Sequence, residues 1–198
     1  MRFSNSFGIV ALAAVLGICG CSSDPQGDAI ALIKASGGKL RTDGEGRVVA
    51  VDLSGTQAGP TILAAVGVLP EVNTINCSNA EQITGAGLAG LGGLKNLETL
   101  YLGGTAVDDE GLQHIQYLTS LKTLHLGHTK ITDEGMPALD PLTNLQTLVL
   151  SDTAISDKGI VHLRDLRDLS TLIVKHTKIS PRGINELRRT LPDTRVDD

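Results

Sequence analysis

Aromatic side chains are nearly absent from this chain of 198 residues. There is no tryptophan, and the two phenylalanines, Phe3 and Phe7, stand close to the N-terminus, which leaves two tyrosines for the rest of the chain. Binding of single-stranded nucleic acid relies on bases that stack against aromatic rings, and sugar rings are often bound in a similar way. The composition therefore argues against a nucleic-acid ligand and against a carbohydrate-binding face.

An excess of positive charge is also missing. The chain has 17 Lys and Arg against 22 Asp and Glu, so its formal net charge is −5 with neutral histidines. A nucleic-acid-binding domain shows a basic patch or stripe, and adhesion to anionic lipid requires clusters of Lys and Arg. We predict no nucleic-acid partner, and any membrane attachment must have a source other than surface charge.

The apolar stretch near the N-terminus is too short to span a membrane. Residues 7–18 are largely apolar and follow the positive charge of Arg2, as in the core of a signal peptide. A transmembrane helix needs ~20 apolar residues. We therefore predict a signal peptide that covers residues 1–20.

Cysteine is scarce, and two of the three cysteines stand in the segment Ile18-Cys19-Gly20-Cys21, directly before a polar run. This segment resembles the lipobox of bacterial lipoproteins, in which an aliphatic residue stands three places before the modified cysteine and a small residue stands directly before it. The resemblance implies lipidation of Cys21, followed by a linker over residues 21–27. An ordinary cleaved signal peptide is the alternative.

One 24-residue pattern occurs four times in nearly adjacent segments. A fixed period of this length indicates a solenoid, in which each unit packs on its neighbours. Two weaker copies precede these four. Val48 and Val51 belong to the first of them, and Val72 and Ile75 belong to the second. The four clear copies are LKNLETLYLGGTAVDDEGLQHIQY from Leu94, LTSLKTLHLGHTKITDEGMPALDP from Leu118, LTNLQTLVLSDTAISDKGIVHLRD from Leu142 and LRDLSTLIVKHTKISPRGINELRR from Leu166.

Within the unit, counted from Leu97 as position 1, apolar residues at positions 1, 4 and 6 precede a threonine at position 9. Positions 4 and 6 share one face of a short strand, and parallel strands ~4.8 Å apart stack such faces into a continuous core. Cys77 stands at position 6, so we predict a small buried apolar residue there. The threonine hydroxyl is predicted to bond backbone groups of the turn.

The second half of the unit has the features of a short helix. We predict an N-cap at position 12, with acidic residues in the first turn after it. Glycine at position 15 is predicted to let the helix approach the sheet closely. The predicted caps are Asp108, Thr132, Ser156 and Ser180, and the glycines are Gly111, Gly135, Gly159 and Gly183.

The pattern L-x-x-L-x-L-x-x-T-x-[IV]-[TSD]-D-x-G-[LIM] resembles the leucine-rich repeat family over residues 47–196, and in particular short exported bacterial proteins. The resemblance implies an α/β fold, a right-handed solenoid with a parallel β-sheet on the concave face and short helices on the convex face. Residues 28–46 are predicted to cap the stack with a helix over 28–36 and a hairpin. Residues 47–198 would hold about six units, closed by Leu191-Pro192-Asp193.

Side chains at positions 3 and 5 point away from this core and line the concave face. The threonine ladder at position 3 has two interpretations, namely strand propensity with cross-strand contacts, or a surface for a repetitive ligand such as a polysaccharide. Position 5 varies from polar to aromatic to apolar, as in a protein-binding face with a tyrosine anchor. The predicted partner-binding residues are Thr99, Tyr101, Thr123, His125, Thr147, Val149 and Ile173.

Position 8 offers a different hypothesis. His128, Asp152 and His176 stand on three successive units ~5 Å apart, a spacing from which side chains could converge on a metal ion. The same position is glycine or asparagine elsewhere, and solvated polar residues with a His–Asp hydrogen bond are the simpler interpretation. No G-x-S-x-G elbow, phosphate-binding glycine loop or Cys-x-x-Cys pair accompanies them.

Together these features predict a non-catalytic protein-binding or scaffolding module, anchored by a lipid on Cys21 to a bacterial membrane and exposed to the periplasm or the cell surface. The expected partner is a protein, while no cofactor and no small-molecule ligand is expected. Two alternatives stay open, a metal-dependent enzyme or metal-binding protein that uses the position-8 residues, and a structural envelope protein without a discrete ligand.

Overall fold

The computed structural model describes residues 24–198. The predicted signal peptide, the predicted lipidation site Cys21 and the first residues of the linker lie outside the described residues. Within residues 24–198, no helix combines the length and the apolar character needed to cross a bilayer. The described residues build one stack of units, each with a strand on one side and a helix or helical turn on the other.

Within residues 24–198, eight strands form a single sheet in chain order. The first strand pairs antiparallel with the second, and every later strand pairs in parallel with the one before it. The parallel register is constant, because equal unit positions face each other at every step, as Leu100 and Leu124 do. The strands are β1 Lys39–Thr42, β2 Val48–Asp52, β3 Thr74–Asn76, β4 Thr99–Tyr101, β5 Thr123–His125, β6 Thr147–Val149, β7 Thr171–Ile173 and β8 Arg195–Asp197.

Strand β8 corrects the predicted end of the stack. We predicted closure at Leu191-Pro192-Asp193, but the chain turns there and then adds one more parallel strand. Val196 pairs with Leu172 at position 4 and packs against the core. The apolar pattern therefore continues for one more strand, although charged residues on both sides of Val196 conceal it in the sequence.

The helical side of the stack is less regular than predicted. In the units that begin at Leu121 and Leu145, 3-10 turns of four and five residues take the place of the predicted short helices, since a 3-10 helix is used mainly in short pieces. The first helix begins at Pro25 rather than at residue 28, because Asp24 caps it by accepting the Gly27 amide at 2.9 Å. The α-helices are α1 Pro25–Ala35, α2 Pro60–Val66, α3 Gly85–Leu88, α4 Asp109–Ile115 and α5 Pro181–Thr190, and the 3-10 turns are Ala89–Leu91, Met136–Leu139 and Gly159–Leu163.

The core consists of apolar columns that run through the stack. Leu97, Leu100 and Leu102, at positions 1, 4 and 6, have no exposed surface, and position 11 adds a column with Val107 and Ile131. Burial of such a side chain contributes roughly 1.5–3 kcal/mol. Because units on both sides cover each column member, a unit depends on its neighbours for its stability.

Cys77 takes its place in the position-6 column and is fully buried. Burial raises the pKa of its thiol to about 12, so the thiol stays protonated at neutral pH, and it is the thiolate that acts as a nucleophile. The prediction of a small buried apolar residue is confirmed.

Threonines at position 9 close the junction between strand and turn. In five units the hydroxyl donates to the carbonyl at position 6 over 2.6–2.8 Å, as Thr105 does to Leu102 and Thr153 does to Leu150. Thr105 and Thr153 are buried, where an unpaired polar group would cost free energy. The predicted role of these hydroxyl groups is confirmed.

A carboxylate at position 13 links one unit to the next. Asp133 accepts hydrogen bonds from the amide and the hydroxyl of Ser156 at 2.7 and 2.5 Å, and from the amide of Gly159 at 3.0 Å. The same amide and hydroxyl bonds join Asp109 to Thr132 and Asp157 to Ser180. The hydroxyl of Ser180 lowers the pKa of the Asp157 carboxyl, as expected for a hydrogen bond to the charged form.

These contacts correct the predicted role of the residues at position 12. Asp108 and Ser180 do cap α-helices, since each accepts a hydrogen bond from an amide three residues further on. Thr132 and Ser156 begin no α-helix, and their hydroxyl groups donate to the carboxylate of the preceding unit. Asp133 and Asp157, directly after them, therefore serve contacts between units.

Glycine at position 15 makes room for this carboxylate. A Cβ atom at Gly135 would lie 2.5 Å from Oδ1 of Asp109, and one at Gly159 would lie 2.6 Å from Oδ1 of Asp133. The close approach is to the neighbouring unit rather than to the sheet, which corrects the predicted reason for these glycines.

We expect Asp133→Ala to lower the free energy of unfolding by about 2–3 kcal/mol, because three donors of the next unit lose a charged acceptor. Urea denaturation followed by circular dichroism measures the change. Glu134→Ala is the matched control, since this neighbouring carboxylate is exposed, and it should change the value by less than about 0.5 kcal/mol. Equal effects of both variants would contradict the proposed link between units.

Candidate functional site

Ten side chains of strands β3 to β7 form one ordered surface, which we call the strand face. Each strand contributes two of them, at positions 3 and 5, and strand pairing places equal positions side by side. All ten are partly exposed, and the seven predicted partner-binding residues are among them. The strand face consists of Thr74, Asn76, Thr99, Tyr101, Thr123, His125, Thr147, Val149, Thr171 and Ile173.

The strand face holds no carboxylate, ammonium or guanidinium group. Charged side chains stand in the same two rows just beyond its ends, with Lys39, Arg41 and Asp52 on the β1 side and Arg195 and Asp197 on β8. The buried centres of protein–protein interfaces are depleted in charged residues and enriched in aromatic ones. The strand face shares the lack of charge of such a centre, and Tyr101 is its one aromatic phenol.

Polar residues at position 5 have a structural role that the sequence analysis missed. The side chains of Asp52 and Asn76 each accept the backbone N–H two residues further on, at 3.0 Å. Nδ1 of His125 accepts the same bond from Gly127 at 3.2 Å. Asp and Asn favour such local turns, and a polar residue at position 5 followed by Ser or Gly at position 7 was the signal for it in the sequence.

The other position-5 residues of the strand face, Tyr101, Val149 and Ile173, make no such turn bond. The rings of Tyr101 and His125 have centroids 6.5 Å apart and an interplanar angle of 56°, a tilted arrangement that is common for aromatic pairs. Val149 and Ile173 continue the same row on the next two strands. Since these side chains take no part in the turn, they are the best candidates for contact with a partner.

His125 is held against the strand face by its surroundings. A Cβ atom at Gly103 would lie 2.6 Å from its ring and one at Gly127 would lie 2.9 Å away, so only glycine leaves space for the imidazole. Burial lowers the pKa of His125, and the nearby His128 adds to this effect. The imidazole is therefore neutral at pH 7, with its proton on Nε2, because Nδ1 accepts the Gly127 amide.

Position 8 has a left-handed backbone in every unit, with φ between 56° and 69°. Glycine adopts this conformation freely, and Asn, Asp and His are the other residues that are enriched in it. The turn therefore accounts for the residue types at this position, which the sequence pattern alone did not show. In chain order they are Gly55, Asn79, Gly104, His128, Asp152 and His176.

The three metal-ligand candidates lie close together beside the strand face. Nε2 of His128 lies 3.2 Å from Oδ2 of Asp152, and Nδ1 of His176 lies 3.0 Å from Oδ1. The imidazole side chains are 70% and 78% exposed, so such contacts contribute little to stability. Each carboxylate oxygen contacts one imidazole, and within residues 24–198 no three His, Cys, Asp or Glu side chains are grouped as metal ligands.

A hollow of about 280 Å³ opens at the C-terminal end of the stack. Its lining includes Val174, Ile184 and Arg188, and it contains none of the strand-face residues. The guanidinium of Arg188 donates to Asp198 at 2.5 Å. This volume is just below the usual range of small-molecule sites, so the strand face remains the stronger candidate.

Comparison with known proteins identifies the repeat and the fold. A family model described as a leucine-rich repeat matches residues 93–115, 117–139 and 142–163. An internalin (inlF) of Listeria monocytogenes has a similar structure, with a TM-score of 0.59 and 24% identity over 68% of this chain and 37% of that chain. The PEPR1–AtPEP1 structure has a TM-score of 0.54 and 17% identity over 79% of this chain and 22% of that chain.

This chain therefore spans well under half the length of either similar structure. No curated protein sequence matches it. At such low identities the likeness concerns the fold alone, and it agrees with the predicted stack of parallel strands and short helices.

The left-handed backbone at Asp152 predicts which substitutions there preserve the stability of the fold. Asp152→Gly should leave the free energy of unfolding nearly unchanged, whereas Asp152→Val should lower it by about 1–2 kcal/mol, because a β-branched residue is strained at positive φ. Thr147, on a strand, is the matched control, and there Val should be tolerated better than Gly. Urea denaturation measures all four variants, and the same order at both positions would contradict the assignment.

Proposed function

We propose that this chain, a solenoid in which three repeats match a leucine-rich-repeat model, is a non-catalytic binding module whose partner is a protein held on the strand face. Solenoids of this class bind through the extended surface of their stacked units. The observation that carries the proposal is the uncharged strand face, on which Tyr101, Val149 and Ile173 are partly exposed and make no turn hydrogen bonds.

The size of the strand face limits the contact that it can make alone. Five strands at a spacing of ~4.8 Å span about 19 Å, and positions 3 and 5 lie about 7 Å apart along a strand. Stable interfaces bury about 800 Å² on each partner, which is several times the area enclosed by these two dimensions. The contact therefore extends beyond the strand face. At its border, His128 and His176 are exposed and Asp152 is partly exposed.

The chemistry of the described residues supports binding rather than catalysis. The thiol of Cys77 is buried and protonated. Nδ1 of His125 accepts a backbone amide, so it is not positioned as a base for a hydroxyl nucleophile. The histidines at position 8 contact the carboxylate of Asp152, an arrangement that satisfies polar side chains without a substrate.

We further propose that the solenoid is held at a bacterial membrane in the cell envelope by a lipid on Cys21. The support is the lipobox-like segment of residues 18–21 after an apolar signal core. Attachment through several acyl chains is far more stable than attachment through one. An anchored solenoid would present its strand face to proteins of the same compartment.

A photoreactive side chain on the strand face should capture the partner in living cells. p-Benzoylphenylalanine is introduced at Tyr101 and, as a control, at Tyr117, which is 62% exposed and follows α4 outside the strand face. We expect one discrete crosslinked species from position 101 and none from position 117. Mass spectrometry then identifies the captured protein.

A second pair of variants tests whether that species depends on the strand face. Val149→Asp should reduce the capture at position 101, because a charge then enters an apolar contact. Val161→Asp, on the helical side where Val161 is 40% exposed, should leave the yield unchanged. If capture is equal at both tyrosines, or if Val149→Asp has no effect on it, the strand face is not the binding surface.

Replacing the proposed lipidation site should release the chain from the membrane. We expect Cys21→Ser to abolish incorporation of labelled palmitate and to move the protein into the soluble fraction after ultracentrifugation. Cys19→Ser should keep both the label and the membrane association, since Cys19 precedes the modified position. Persistent labelling of the Cys21→Ser variant would refute the lipoprotein proposal.

A further inference from the structure

His125 is the side chain of the strand face that can change its charge near neutral pH. It occupies β5, the third of the five strands that form the face. Tyr101 from β4 and Val149 from β6 flank it in the position-5 row with a phenol and an apolar group. A proton bound by His125 would therefore place a full charge at the centre of an otherwise uncharged surface.

The hydrogen bond of His125 requires the neutral form of the ring. A backbone amide can only donate, so Nδ1 must present a lone pair to the N–H of Gly127. Protonation turns Nδ1 into a donor, and the bond can then no longer exist. Gly127 is buried, so its amide would lose its acceptor in a place where unpaired donors are costly.

The groups around the ring compensate only partly for such a charge, because the backbone of His125 itself favours the protonated form but burial outweighs it and the pKa is lowered. Gly103 and Gly127 lie against the imidazole and have no side chains. Burial is the main effect that disfavours protonation, and His128 on the following turn adds a smaller electrostatic effect. The two carboxylate oxygens of Asp152 contact His128 and His176 rather than His125.

We propose that His125 makes the strand face responsive to pH, because the neutral ring completes a surface for an uncharged region of a protein partner and the protonated ring leaves Gly127 and releases that partner. This inference rests on the proposed function. The absence of charge across five strands determines the chemistry of the occupant, since a charged group that entered this contact would be desolvated without a counter-charge.

The chain itself supplies the matched variant for a test. Asn76 occupies position 5 two units earlier, and its side chain accepts the amide of Ser78 at 3.0 Å, as His125 does with Gly127. His125→Asn therefore keeps the turn hydrogen bond and cannot titrate. His128→Asn is the second control, because it removes the neighbouring histidine and leaves His125 in place.

The direction of the stability change follows from burial. Because the pKa of His125 is lowered in the folded chain, the unfolded chain binds the proton more readily. Stability that is present above the ordinary histidine range, near pH 6.5, is lost as the pH falls through the folded pKa. Urea denaturation at several pH values should show a smaller acid loss for His125→Asn than for the unmodified chain.

Nuclear magnetic resonance of the free protein tests the switch without any partner. Between about pH 7.5 and pH 5, which brackets the ordinary histidine range, the amide of Gly127 should shift and exchange faster with solvent as His125 titrates. The transition should vanish in His125→Asn and persist in His128→Asn. An amide of Gly127 that stays unchanged while His125 titrates would overturn the proposal.

Capture at position 101 tests the release. In membrane preparations adjusted to the same two pH values, the crosslinked species should fall about tenfold on acidification. His125→Asn lacks the ring and can capture less overall, but its yield should be the same at both pH values. If capture is equal at both pH values while the amide of Gly127 shifts, the strand face binds without regulation and the inference fails. If position 101 captures nothing at neutral pH, the binding face and the inference fail together.

Discussion

Residue-for-residue pairing of parallel strands is the constraint on which the rest of this structure depends. Most of the strands have only three residues. Because so few backbone pairs fix the register, the chain must turn in the same way after each strand. The left-handed residue at position 8 redirects the chain, the threonine at position 9 fixes the turn, and the carboxylate at position 13 holds the next unit. Together these three features keep each strand in register with the strand before it.

The apolar columns could be predicted from the sequence because a constant period decides which side chains share a face. Cys77 illustrates this, since its position alone indicated burial. Contacts between units could not be predicted in the same way. Asp109 is a residue type that also begins helices, and only the stacked geometry shows that Thr132 of the next unit lies within its reach. Val196 was missed because its strand is short and its neighbours are charged.

The candidate site was predictable as a set of residues, because alternation along a strand determines which side chains point outward. What the sequence could not separate was variation that serves the fold from variation that is available for binding. Asn76 and His125 support turns, and His128 and Asp152 satisfy a left-handed backbone. The residues that neither support a turn nor adopt a left-handed backbone are the stronger candidates for recognition. At position 5 of the strand face they are Tyr101, Val149 and Ile173.

His125 serves both the fold and the surface, because its Nδ1 takes part in the turn while its ring lies on the strand face. The amide of Leu126 donates to the carbonyl of Val149 at 2.8 Å, so the residue between His125 and Gly127 also joins β5 to β6. A change of charge at the surface therefore acts on backbone that positions the neighbouring strand. In a stack of nearly identical units, protonation of one side chain can make the binding surface sensitive to the pH of the solution while the core columns stay the same.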